Sequence, residues 1–455
     1  MPREKAWLVA GLGFGDEGKG TIVDYLVRRE GAKVVVRYNG GAQAAHRVVL
    51  DDGRDHVFAQ FGSGTLIPGI RTYLSRFMLV EPSGMINEYN HLKKIGFEDA
   101  FRRLMIDERA PLITPFHVSA GRLLEFERGA NRNGSCGLGI GEVTEDLRDA
   151  PDSTLRVGDL RNLGTFYQKF LNVRQRKLLK VEHLFNKFRY MNSNMAINVK
   201  VFESKDVWDW WMNRYGEFTK LATNIVSSLY SGEIFGDDPV IFEGAQGMLL
   251  DRERGFYPHV TKTDISYKNA EILLREAGHT GEVAKVGVLR GYFTRHGAGP
   301  FVTEDKELTE NLQDECGNKE NDWQGKMRVG YFDLVAAKYA IDSIGGVDGL
   351  AITNLDRLIE MDELKIARGY FPTSIEKDAE ALFKWNGPMI TGILPGEAKE
   401  AVTKALYNAK PVYEGVSNVR NRKEATLYAR KVAEELGIKL SIVSFGGAAS
   451  DKVTI

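Results

Sequence analysis

The stretch that most constrains what this chain can fold into is Gly11–Thr21, which reads GLGFGDEGKGT. The apolar run Ala6–Ala10 precedes it and predicts a buried strand, while the spacing of apolar residues in Ile22–Arg28 suits a helix. A glycine-rich turn between a strand and a helix is typical of a phosphate-binding loop, because backbone N–H groups of glycines can converge on an anion. Lys19 adds a positive charge beside them. The sequence therefore predicts a phosphate-binding loop near the N-terminus.

This loop departs from the usual pattern in two ways. From Gly13 the spacing fits G-x-x-x-x-G-K, but Gly20 stands where a Ser or Thr would hold magnesium. The loop also carries Asp16 and Glu17, two acids inside a phosphate cradle. Acids that face phosphate make chemical sense only if they bind a metal or move a proton. We therefore expect this loop to take part in a reaction as well as to anchor a nucleotide.

Composition excludes several classes of protein. The chain has 455 residues, 43% of them hydrophobic and 27% charged, as in an ordinary globular protein. Its 61 basic and 62 acidic residues nearly cancel, which argues against nucleic acid or a membrane as the main partner. The two cysteines, Cys136 and Cys316, argue against a disulfide framework and favour a reducing compartment. With no signal-like N-terminus, the expected location is cytoplasmic.

Six short apolar runs predict the fold class. Each reads as a buried parallel strand and is followed by a Gly, Asp or Asn cluster, where an α/β sheet places its ligands. The runs are Ala6–Ala10, Val34–Arg37, Val240–Phe242, Val283–Leu289, Leu350–Thr353 and Leu440–Val443. We therefore expect an α/β fold with one large, mostly parallel central sheet flanked by helices, in a single domain over 1–455. A helical excursion is expected at about 162–232, and the charged stretch Lys306–Asp322 is expected to be a surface loop over a site.

Polar clusters after these strands are candidates for chemistry. His46, in the glycine patch that starts at Asn39, is a candidate electrophile or general acid. Gln246 follows the Val240–Phe242 strand, where an amide side chain can read a base edge, and Thr261 can offer a hydroxyl to phosphate. Arg295 follows another strand and is suitably placed for an anion.

The stretch Thr353–Asp356 points to the base of the nucleotide. Asp356 follows a strand, with Asn354 two residues before it. An Asp carboxylate there can accept hydrogen bonds from N1–H and N2–H₂ of guanine, a donor pair that adenine lacks. The pattern predicts GTP over ATP. Ser444–Gly447, after the last strand, can close the other side of the same base.

Taken together, these motifs resemble the adenylosuccinate synthetase family. They lie in the family's order along nearly the whole chain: Gly15–Gly20 with Ile22–Asp24, Arg37–Gly41 with His46, Leu155–Leu160, Phe242–Gly247, Leu249–Asp251, Tyr257–Pro258 with Val260–Thr261, Gly297–Phe301 and Asn354–Asp356. The resemblance implies a GTP-dependent ligase of purine biosynthesis. Such an enzyme joins L-aspartate to position 6 of IMP or dIMP through a 6-phosphoryl intermediate and gives adenylosuccinate. It also implies Mg²⁺ and a homodimer with sites completed across the interface.

The resemblance assigns roles residue by residue. Asp16 would take the N1 proton of the purine and touch Mg²⁺ together with the backbone carbonyl of Ala45, and His46 would stabilise the oxyanion at O6 and the transferring phosphoryl group. The residues implied for GTP are Gly15, Glu17, Gly18, Lys19, Gly20, Asn354, Asp356, Ser444 and Gly446. Those implied for the purine nucleotide are Gln43, Cys136, Arg148, Gln246, Thr261 and Lys326, and those for the amino acid are Gln324, Lys326 and Arg328.

The chain also departs from the family at both acceptor pockets. Ala45 replaces a glycine, and Cys136 stands in a turn that reads Thr-Thr-Gly in the family. Arg148 is the candidate for the arginine that a neighbouring subunit supplies, and it lies in a longer region than the family has. Lys326 replaces an arginine that in the family binds the carboxylates of aspartate. Lysine lacks the planar, forked guanidinium that can bind a carboxylate through two N–H groups.

These departures leave two alternatives to the ligase that uses IMP and aspartate. The first is a family member that acts on another purine nucleotide, such as dGMP or GMP, to give a 2-aminoadenylosuccinate, or on another amine. Retention of Asp16 argues against the guanine-nucleotide branch, whose loop lacks the acid. The second is a nucleotide-binding sensor without turnover. The intact set of Asp16, Lys19 and His46 argues against it.

Overall fold

The computed structural model describes residues 5–129, 132–191, 193–227, 234–236, 238–312, 323, 325–359, 361, 363–396, 399–416 and 418–455. Its strands are β1 Ala6–Gly11, β2 Val34–Arg37, β3 His46–Val49, β4 Asp55–Phe58, β5 Arg71–Leu74, β6 Leu104–Asp107, β7 Ile225–Val226, β8 Val240–Gly247, β9 Val283–Arg290, β10 Phe293–Arg295, β11 Arg328–Gly330, β12 Phe332–Asp333, β13 Gly349–Thr353, β14 Leu364–Pro372, β15 Phe383–Asn386, β16 Met389–Ile393, β17 Ala409–Val416, β18 Leu440–Ser444 and β19 Lys452–Thr454.

Its helices are α1 Lys19–Glu30, α2 Pro82–Lys94, α3 Pro115–Glu127, α4 Ile140–Asp149, α5 Leu163–Val181, α6 Phe185–Phe188, α7 Ser193–Glu203, α8 Lys205–Leu221, α9 Lys268–Glu276, α10 Lys306–Leu312, α11 Leu334–Ile344, α12 Leu355–Leu358, α13 Glu400–Tyr407 and α14 Arg422–Leu436. None of the helices among the described residues is both long and apolar enough to span a membrane.

A ten-stranded sheet forms the centre of the fold. Its strand order is β19-β18-β13-β9-β1-β8-β2-β5-β6-β7, and every neighbouring pair is parallel except β18 with β19. All six predicted runs are strands of this sheet, so the predicted fold class is confirmed. Because the parallel strands end at one edge, the loops that carry the candidate residues meet there.

Both faces of the sheet are covered. Along β1, Leu8 and Ala10 belong to the hydrophobic cluster on one face and Val9 to the cluster on the other, as the alternation of a strand requires. Helix α1 packs on the second face through Ile22 and Leu26, which are completely buried. This burial on two sides explains why the strands read as continuous apolar runs.

A separate hydrophobic cluster joins α2 and α3 to the helices α5–α8. Phe116 of α3 packs against Phe170 of α5 and Phe202 of α7, with ring centroids 4.8 and 5.5 Å apart. The helices thus form a layer beside α3 and α4, two elements that reach the candidate site. Residues 228–233, at the end of the expected excursion, lie outside the described residues.

The expectation of a loop at Lys306–Asp322 is wrong for its first part. Residues Lys306–Leu312 form α10, and the backbone N–H of Leu308 donates to Oδ1 of Asp305 at 2.9 Å. Leu308 and Leu312 are buried, so this short helix is stabilised by packing that its charged sequence does not reveal. Residues 313–322 lie outside the described residues.

Candidate active site

A cavity of about 420 Å³ opens at the carboxyl edge of the sheet. Its lining includes most of the residues implied for catalysis, the metal and the acceptor nucleotide, together with two implied for GTP: Asp16, His46, Ala45, Gln43, Cys136, Gln246, Thr261, Gly15 and Lys19. They come from the loop after β1 and the start of α1, the segment that leads into β3, the turn before α4, and the end of β8 with the segment after it. The fold therefore brings together side chains that are far apart in the sequence.

The loop after β1 is organised around the carboxylate of Glu17. Its Oε1 accepts hydrogen bonds from the backbone N–H groups of Gly13 at 3.0 Å and Gly15 at 2.8 Å, and its Oε2 contacts Nζ of Lys19. Glu17 and Lys19 are both buried. The carboxylate of Glu17 therefore fixes the backbone of the loop from inside. The loop leads into α1 through Gly18, whose φ of 82° is in the left-handed region.

Gly20 has a steric reason to replace the usual Ser or Thr. A β-carbon at this position would lie 2.6 Å from Cβ of His46 and 2.9 Å from Oγ of Ser63. The first turn of α1 therefore packs directly against the start of β3, where His46 begins the strand. The absence of a side chain at Gly20 is what allows His46 to lie beside the loop.

His46 is held by a buried carboxylate. Its Nδ1 lies 2.5 Å from Oε1 of Glu243. Glu243 is the last residue of β8 that pairs with β2. Ser63 donates to Glu243 through its backbone N–H at 2.8 Å and through its hydroxyl. Arg37, completely buried on β2, supports the same carboxylate electrostatically. Glu243 is thus the centre of a hydrogen-bonded network that fixes the imidazole ring.

The electrostatics of this pair set its protonation. Burial would raise the pKa of Glu243, but Arg37, His46 and Ser63 together bring it down to about 2. The pKa of His46 is lowered by burial, against the opposing hydrogen bond to Glu243. A carboxylate can only accept a hydrogen bond, so Nδ1 of His46 carries a proton and Nε2 remains for a ligand.

Asp16 lies across the cavity on the loop after β1. Its φ of 59° is unusual for a residue with a side chain, and its backbone carbonyl accepts a 2.5 Å hydrogen bond from Nε of Arg290. Its Oδ2 lies 3.3 Å from Nε2 of His296. Asp16 and His296 both line the cavity.

The far end of the cavity is formed by the start of α4. This helix begins at Ile140 after Gly139, with no side-chain cap, and Gly139, Ile140 and Gly141 line the cavity. Lys262 packs beside it, with Cγ 3.5 Å from a β-carbon placed on Gly141. Both polar atoms of the Gln43 side chain are buried without a hydrogen-bond partner among the described residues. This end therefore offers donors to an anion.

The turn that contains Cys136 is held by Glu125. Oε1 of this buried carboxylate accepts hydrogen bonds from the backbone N–H groups of Gly134 and Ser135, at 2.8 and 3.1 Å. Trp323 covers the same turn, since a β-carbon on Gly137 would lie 2.9 Å from its ring. These contacts satisfy two backbone donors of the turn internally.

The residues implied for guanine lie on neighbouring strands away from this cavity. Asn354, with φ of 54°, precedes α12, and Asp356 is in its first turn. Ser444 ends β18, the neighbour of β13, and its hydroxyl donates to the carbonyl of Gly446 at 3.1 Å. A hydrogen bond joins the loop after β1 to these guanine-binding candidates. Oγ1 of Thr353, the residue before Asn354, donates to the backbone carbonyl of Glu17 at 2.6 Å. The loop after β1 thus lies between two groups of candidate residues.

Three residues implied for the acceptor nucleotide or the amino acid are described but are not part of the cavity lining. Arg148 is exposed and pairs with Asp149, with Nε 2.6 Å from Oδ1. Lys326 is exposed, and Arg328 pairs with Glu304 and donates to the carbonyl oxygens of two loop glycines. Gln324 lies outside the described residues.

Arg295 has a different position from the one its sequence suggested. It is buried and donates to the carbonyl oxygens of Pro300 and Ala298 at 2.7 and 2.9 Å. The guanidinium also lies 4.3 Å from the ring centroid of Phe14. Arg295 thus braces the following loop.

Sequence reasoning missed Glu243, Ser63 and His296. Glu243 stands in the motif that supplied Gln246, and an acid between a buried strand and a glycine was a usable signal. His296 was also visible as an ionisable residue next to Arg295 in a loop after a strand. Ser63 gave no signal, because its role depends on a contact with a residue 180 positions away.

Comparisons with known proteins show which family the chain resembles. A family model described as adenylosuccinate synthetase matches residues 8–453. The chain is 31% identical over 451 residues to the adenylosuccinate synthetase of Brevibacillus brevis, covering 96% of each chain. It is also 31% identical over 455 residues to that of Clostridium novyi, covering 97% of each.

Two solved structures share the fold. One is the fully ligated adenylosuccinate synthetase from Plasmodium falciparum, with a TM-score of 0.76 and 20% identity over 99% of each chain. The other is the succinoaminodeoxyadenylate synthetase of cyanophage S-2L bound to dGMP and dATP, with a TM-score of 0.59 and 16% identity over 99% of this chain and 95% of that one. On the family match and the relatives, the chain belongs to the adenylosuccinate synthetase family of GTP-dependent carbon–nitrogen ligases.

Proposed function

We propose that this protein joins L-aspartate to C6 of IMP, or of dIMP, with GTP as phosphoryl donor, and releases adenylosuccinate or its deoxy form, GDP and phosphate. The observation that carries the proposal is that Asp16, Lys19 and His46 line one cavity, with His46 held from behind by the buried Glu243. A carboxylate, an imidazole and an ammonium group around one cavity are the groups that proton transfer and phosphoryl transfer need.

The reaction proceeds in two steps. Asp16 takes the proton from N1 of the purine, so that the electron pair moves to O6, and O6 attacks the γ-phosphorus of GTP while the bond to the β-phosphate oxygen breaks. The aspartate amine then attacks C6, the bond from C6 to the 6-phosphate oxygen breaks, and the amine nitrogen gives up a proton, so that the product keeps N1 unprotonated. His46, positioned by Glu243, donates through Nε2 to O6 and the transferring phosphoryl group once it is protonated. Lys19 offers its charge to the donor phosphates.

Mg²⁺ fits the donor set of this site. Among the described residues no group of three or more His, Cys, Asp or Glu side chains could hold a metal. Mg²⁺ commonly binds through one or two carboxylates together with substrate phosphates, so a complete protein cage is not required. Asp16 and the carbonyl of Ala45 are the proposed ligands, and both residues line the cavity. When bound, the metal supplies charge neutralisation to the phosphates.

The far end of the cavity supports a 5′-phosphate on the acceptor. We assign that phosphate to Thr261, Lys262 and the backbone N–H groups at the start of α4, with Gln43 and Cys136 beside it. Gln246 would contact the nucleoside. The uncapped helix N-terminus favours an anion, and the ammonium group of Lys262 adds charge.

The guanine of GTP is assigned to the second group of candidate residues. Asp356 would accept from N1–H and N2–H₂ of guanine, with Asn354 beside it, while Ser444 and Gly446 would close the opposite side of the base. Gly18 and Gly20 would offer backbone N–H groups to the phosphates, and Gly15 would lie beside them with its own N–H donated to Glu17. Glu17 contributes by holding the loop, since its carboxylate is already bonded to backbone donors of the loop.

The amino-acid site and the assembly are also part of the proposal. Gln324, Lys326 and Arg328 would bind the carboxylates of aspartate, and Lys326 and Arg328 would approach the cavity when substrates bind. The protein would act as a homodimer, and Arg148 would reach the nucleotide phosphate of the neighbouring subunit. The near absence of cysteine and the use of GTP agree with a cytoplasmic location.

The decisive test uses the purified protein with Mg²⁺, GTP, L-aspartate and IMP. We expect the ultraviolet absorbance of a succinylated purine to rise, and its rate to fall strongly when ATP replaces GTP. Asp16→Asn should abolish turnover while GTP binding, followed by calorimetry, stays nearly unchanged. A fully active Asp16→Asn variant would contradict the assigned proton transfer.

The same assay separates the alternatives. Product from dGMP or GMP but none from IMP would replace the proposal by synthesis of a 2-aminoadenylosuccinate. Phosphate release with another amine but not with aspartate would move the substitution to the amino-acid site. GTP binding without product from any combination of purine nucleotide and amine would identify a sensor.

A further inference from the structure

We propose that His296 is a positioning residue for the general base: its Nε2–H donates to Oδ2 of Asp16 and aims the other carboxylate oxygen at N1 of the purine. The proposal rests on the function proposed above, because it takes Asp16 as the group that removes the N1 proton. It adds a residue to that step.

The first observation is the contact itself. Nε2 of His296 lies 3.3 Å from Oδ2 of Asp16, and both side chains face the same cavity. This distance is slightly longer than that of a typical N–H···O hydrogen bond. Catalytic hydrogen bonds are commonly long before substrate binds and shorten in the complex, so the geometry suits an interaction that tightens during the reaction.

The second observation is that His296 stands on a braced loop. It follows β10 directly, and the next residues are held by Arg328, which donates to the carbonyl oxygens of Gly297 and Gly299 at 2.7 and 3.1 Å. From the other side Arg295 donates to the carbonyl of Ala298. Because these contacts fix the backbone of the loop, the imidazole of His296 has a defined position from which to orient the carboxylate of Asp16.

The third observation concerns Asp16. Its main chain is fixed in a left-handed conformation by the loop and by the hydrogen bond from Arg290. Residues with side chains adopt this region rarely and keep it where their surroundings impose it. The main-chain contacts fix the position of the Asp16 backbone but leave the rotation of its carboxylate to its neighbours. Among the described residues, the imidazole of His296 contacts this carboxylate.

To position the carboxylate of Asp16, His296 needs an N–H donor, and the charge of its imidazole does not need to change. A carboxylate with two equivalent oxygens would present either one to the purine, in several orientations. A hydrogen bond to one lone pair of Oδ2 leaves Oδ1 for N1 and the other lone pair of Oδ2 for Mg²⁺, and a misplacement of about 1 Å at a reacting group costs on the order of 10²-fold in rate. A side chain that places an N–H donor at the same point should therefore substitute for the imidazole.

The kinetic test compares two nearly isosteric replacements. His296→Gln keeps an N–H donor near the position of Nε2, whereas His296→Met fills similar space without one. We expect kcat to fall about 10-fold to 100-fold in His296→Met and to stay within about threefold of the unchanged protein in His296→Gln. The KM for GTP should change less than about twofold in both. His183→Gln, an exposed histidine on the helical side of the molecule, is the control for the loss of an imidazole.

A spectroscopic test does not depend on turnover. In protein labelled with ¹⁵N-histidine, the Nε2 signal that disappears in His296→Met belongs to His296. We expect this signal to shift on Asp16→Asn and to stay in place in Asp342→Asn, which alters an exposed acid elsewhere. If the protein makes no product with any substrate, the proposed function fails while this shift still tests the contact. Equal kcat values in His296→Met and His296→Gln, or a signal unmoved by Asp16→Asn, would overturn the proposal.

Discussion

Nδ1 of His46 lies 2.5 Å from Oε1 of Glu243, and both side chains are buried. Because the pKa of Glu243 is held at about 2, the carboxylate keeps its charge over the whole physiological range. The imidazole therefore has one nitrogen committed to the protein and one available to a substrate. An approaching phosphate favours the protonated ring, since the burial that lowers the pKa of His46 is then offset by an anion on each side.

Replacing His46 by Asn should therefore remove a group that acts on the transition state. We expect kcat to fall by about 10²-fold to 10³-fold, since this is the typical cost of removing one electrostatic stabiliser. The KM for GTP should stay within about threefold, because Lys19 and the loop remain. Steady-state kinetics with IMP and aspartate measures both values. His279→Asn serves as control, and a His46→Asn variant with more than half of the original kcat would refute the role.

Gly20→Ser tests the packing of α1 on β3. This change restores the usual Ser of a phosphate-binding loop, yet we expect it to lower both stability and activity. Its β-carbon would lie 2.6 Å from Cβ of His46, so the helix or the strand must shift. Overpacking of this kind costs typically 1–3 kcal/mol, and the shift would move the imidazole away from the substrate.

The control for this variant is Gly216→Ser. Gly216 lies in α8 with no atom near its would-be β-carbon, so the same change there should leave the unfolding free energy within about 0.5 kcal/mol. Urea unfolding and kinetics on both variants separate a general effect of Gly→Ser from the local clash. A Gly20→Ser protein with unchanged kcat and stability would show that the two elements can move apart freely.

The parts of this molecule that could be predicted from sequence are those specified locally. The strand of Val34–Arg37 and the turn around Gly18 each follow from a few adjacent residues, and the order of such elements limits the sheet to a parallel arrangement. Asp16, Lys19 and His46 were identifiable because each stands in a short motif after a strand. Cavity walls form wherever such strands end together.

The remaining features depend on contacts between distant residues. Glu243 lies 197 positions from His46, and although its local pattern marks it as an acid of interest, nothing near it in the sequence identifies His46 as its partner. The steric role of Gly20 likewise requires the position of β3. Leu308 and Leu312 are buried by tertiary packing in α10, which a stretch rich in charge conceals. These are cases where packing overrides local preference.

Glu17→Gln tests whether the carboxylate of Glu17 fixes the loop after β1. The substituted amide would present an NH₂ group to backbone N–H donors or to Lys19, which the carboxylate now accepts from. Loss of charged hydrogen bonds of this kind costs about 1.5–3 kcal/mol. We expect GTP to bind about 10-fold to 100-fold more weakly, as measured by calorimetry, while IMP binding changes less. Glu30→Gln, at the opposite end of α1, is the matched control. Tighter GTP binding in Glu17→Gln would mean that the carboxylate competes with phosphate.

Asp333 offers a test of stability against pH away from the site. Its carboxyl group caps α11 and accepts hydrogen bonds from the backbone N–H of Ala336 at 3.0 Å and from the hydroxyl of Tyr370 at 2.6 Å. Burial raises its pKa from 3.8 to about 6. The folded protein therefore binds a proton more tightly than the unfolded chain, so the stabilising contribution is complete below pH 4 and is lost as the pH rises through 6.

Asp333→Asn should remove the loss of stability that occurs as the pH rises through 6. Asn keeps the helix cap and an acceptor for Tyr370, but it does not ionise. The unfolding free energy of the variant relative to the unchanged protein should rise between pH 4 and pH 7, by at most about 3 kcal/mol from a shift of this size. Urea unfolding at several pH values measures the difference. Asp342→Asn, on the exposed face of the same helix, should give a difference that stays nearly constant with pH. A flat difference for Asp333→Asn as well would show that the Asp333 carboxyl group titrates alike in the folded and unfolded states.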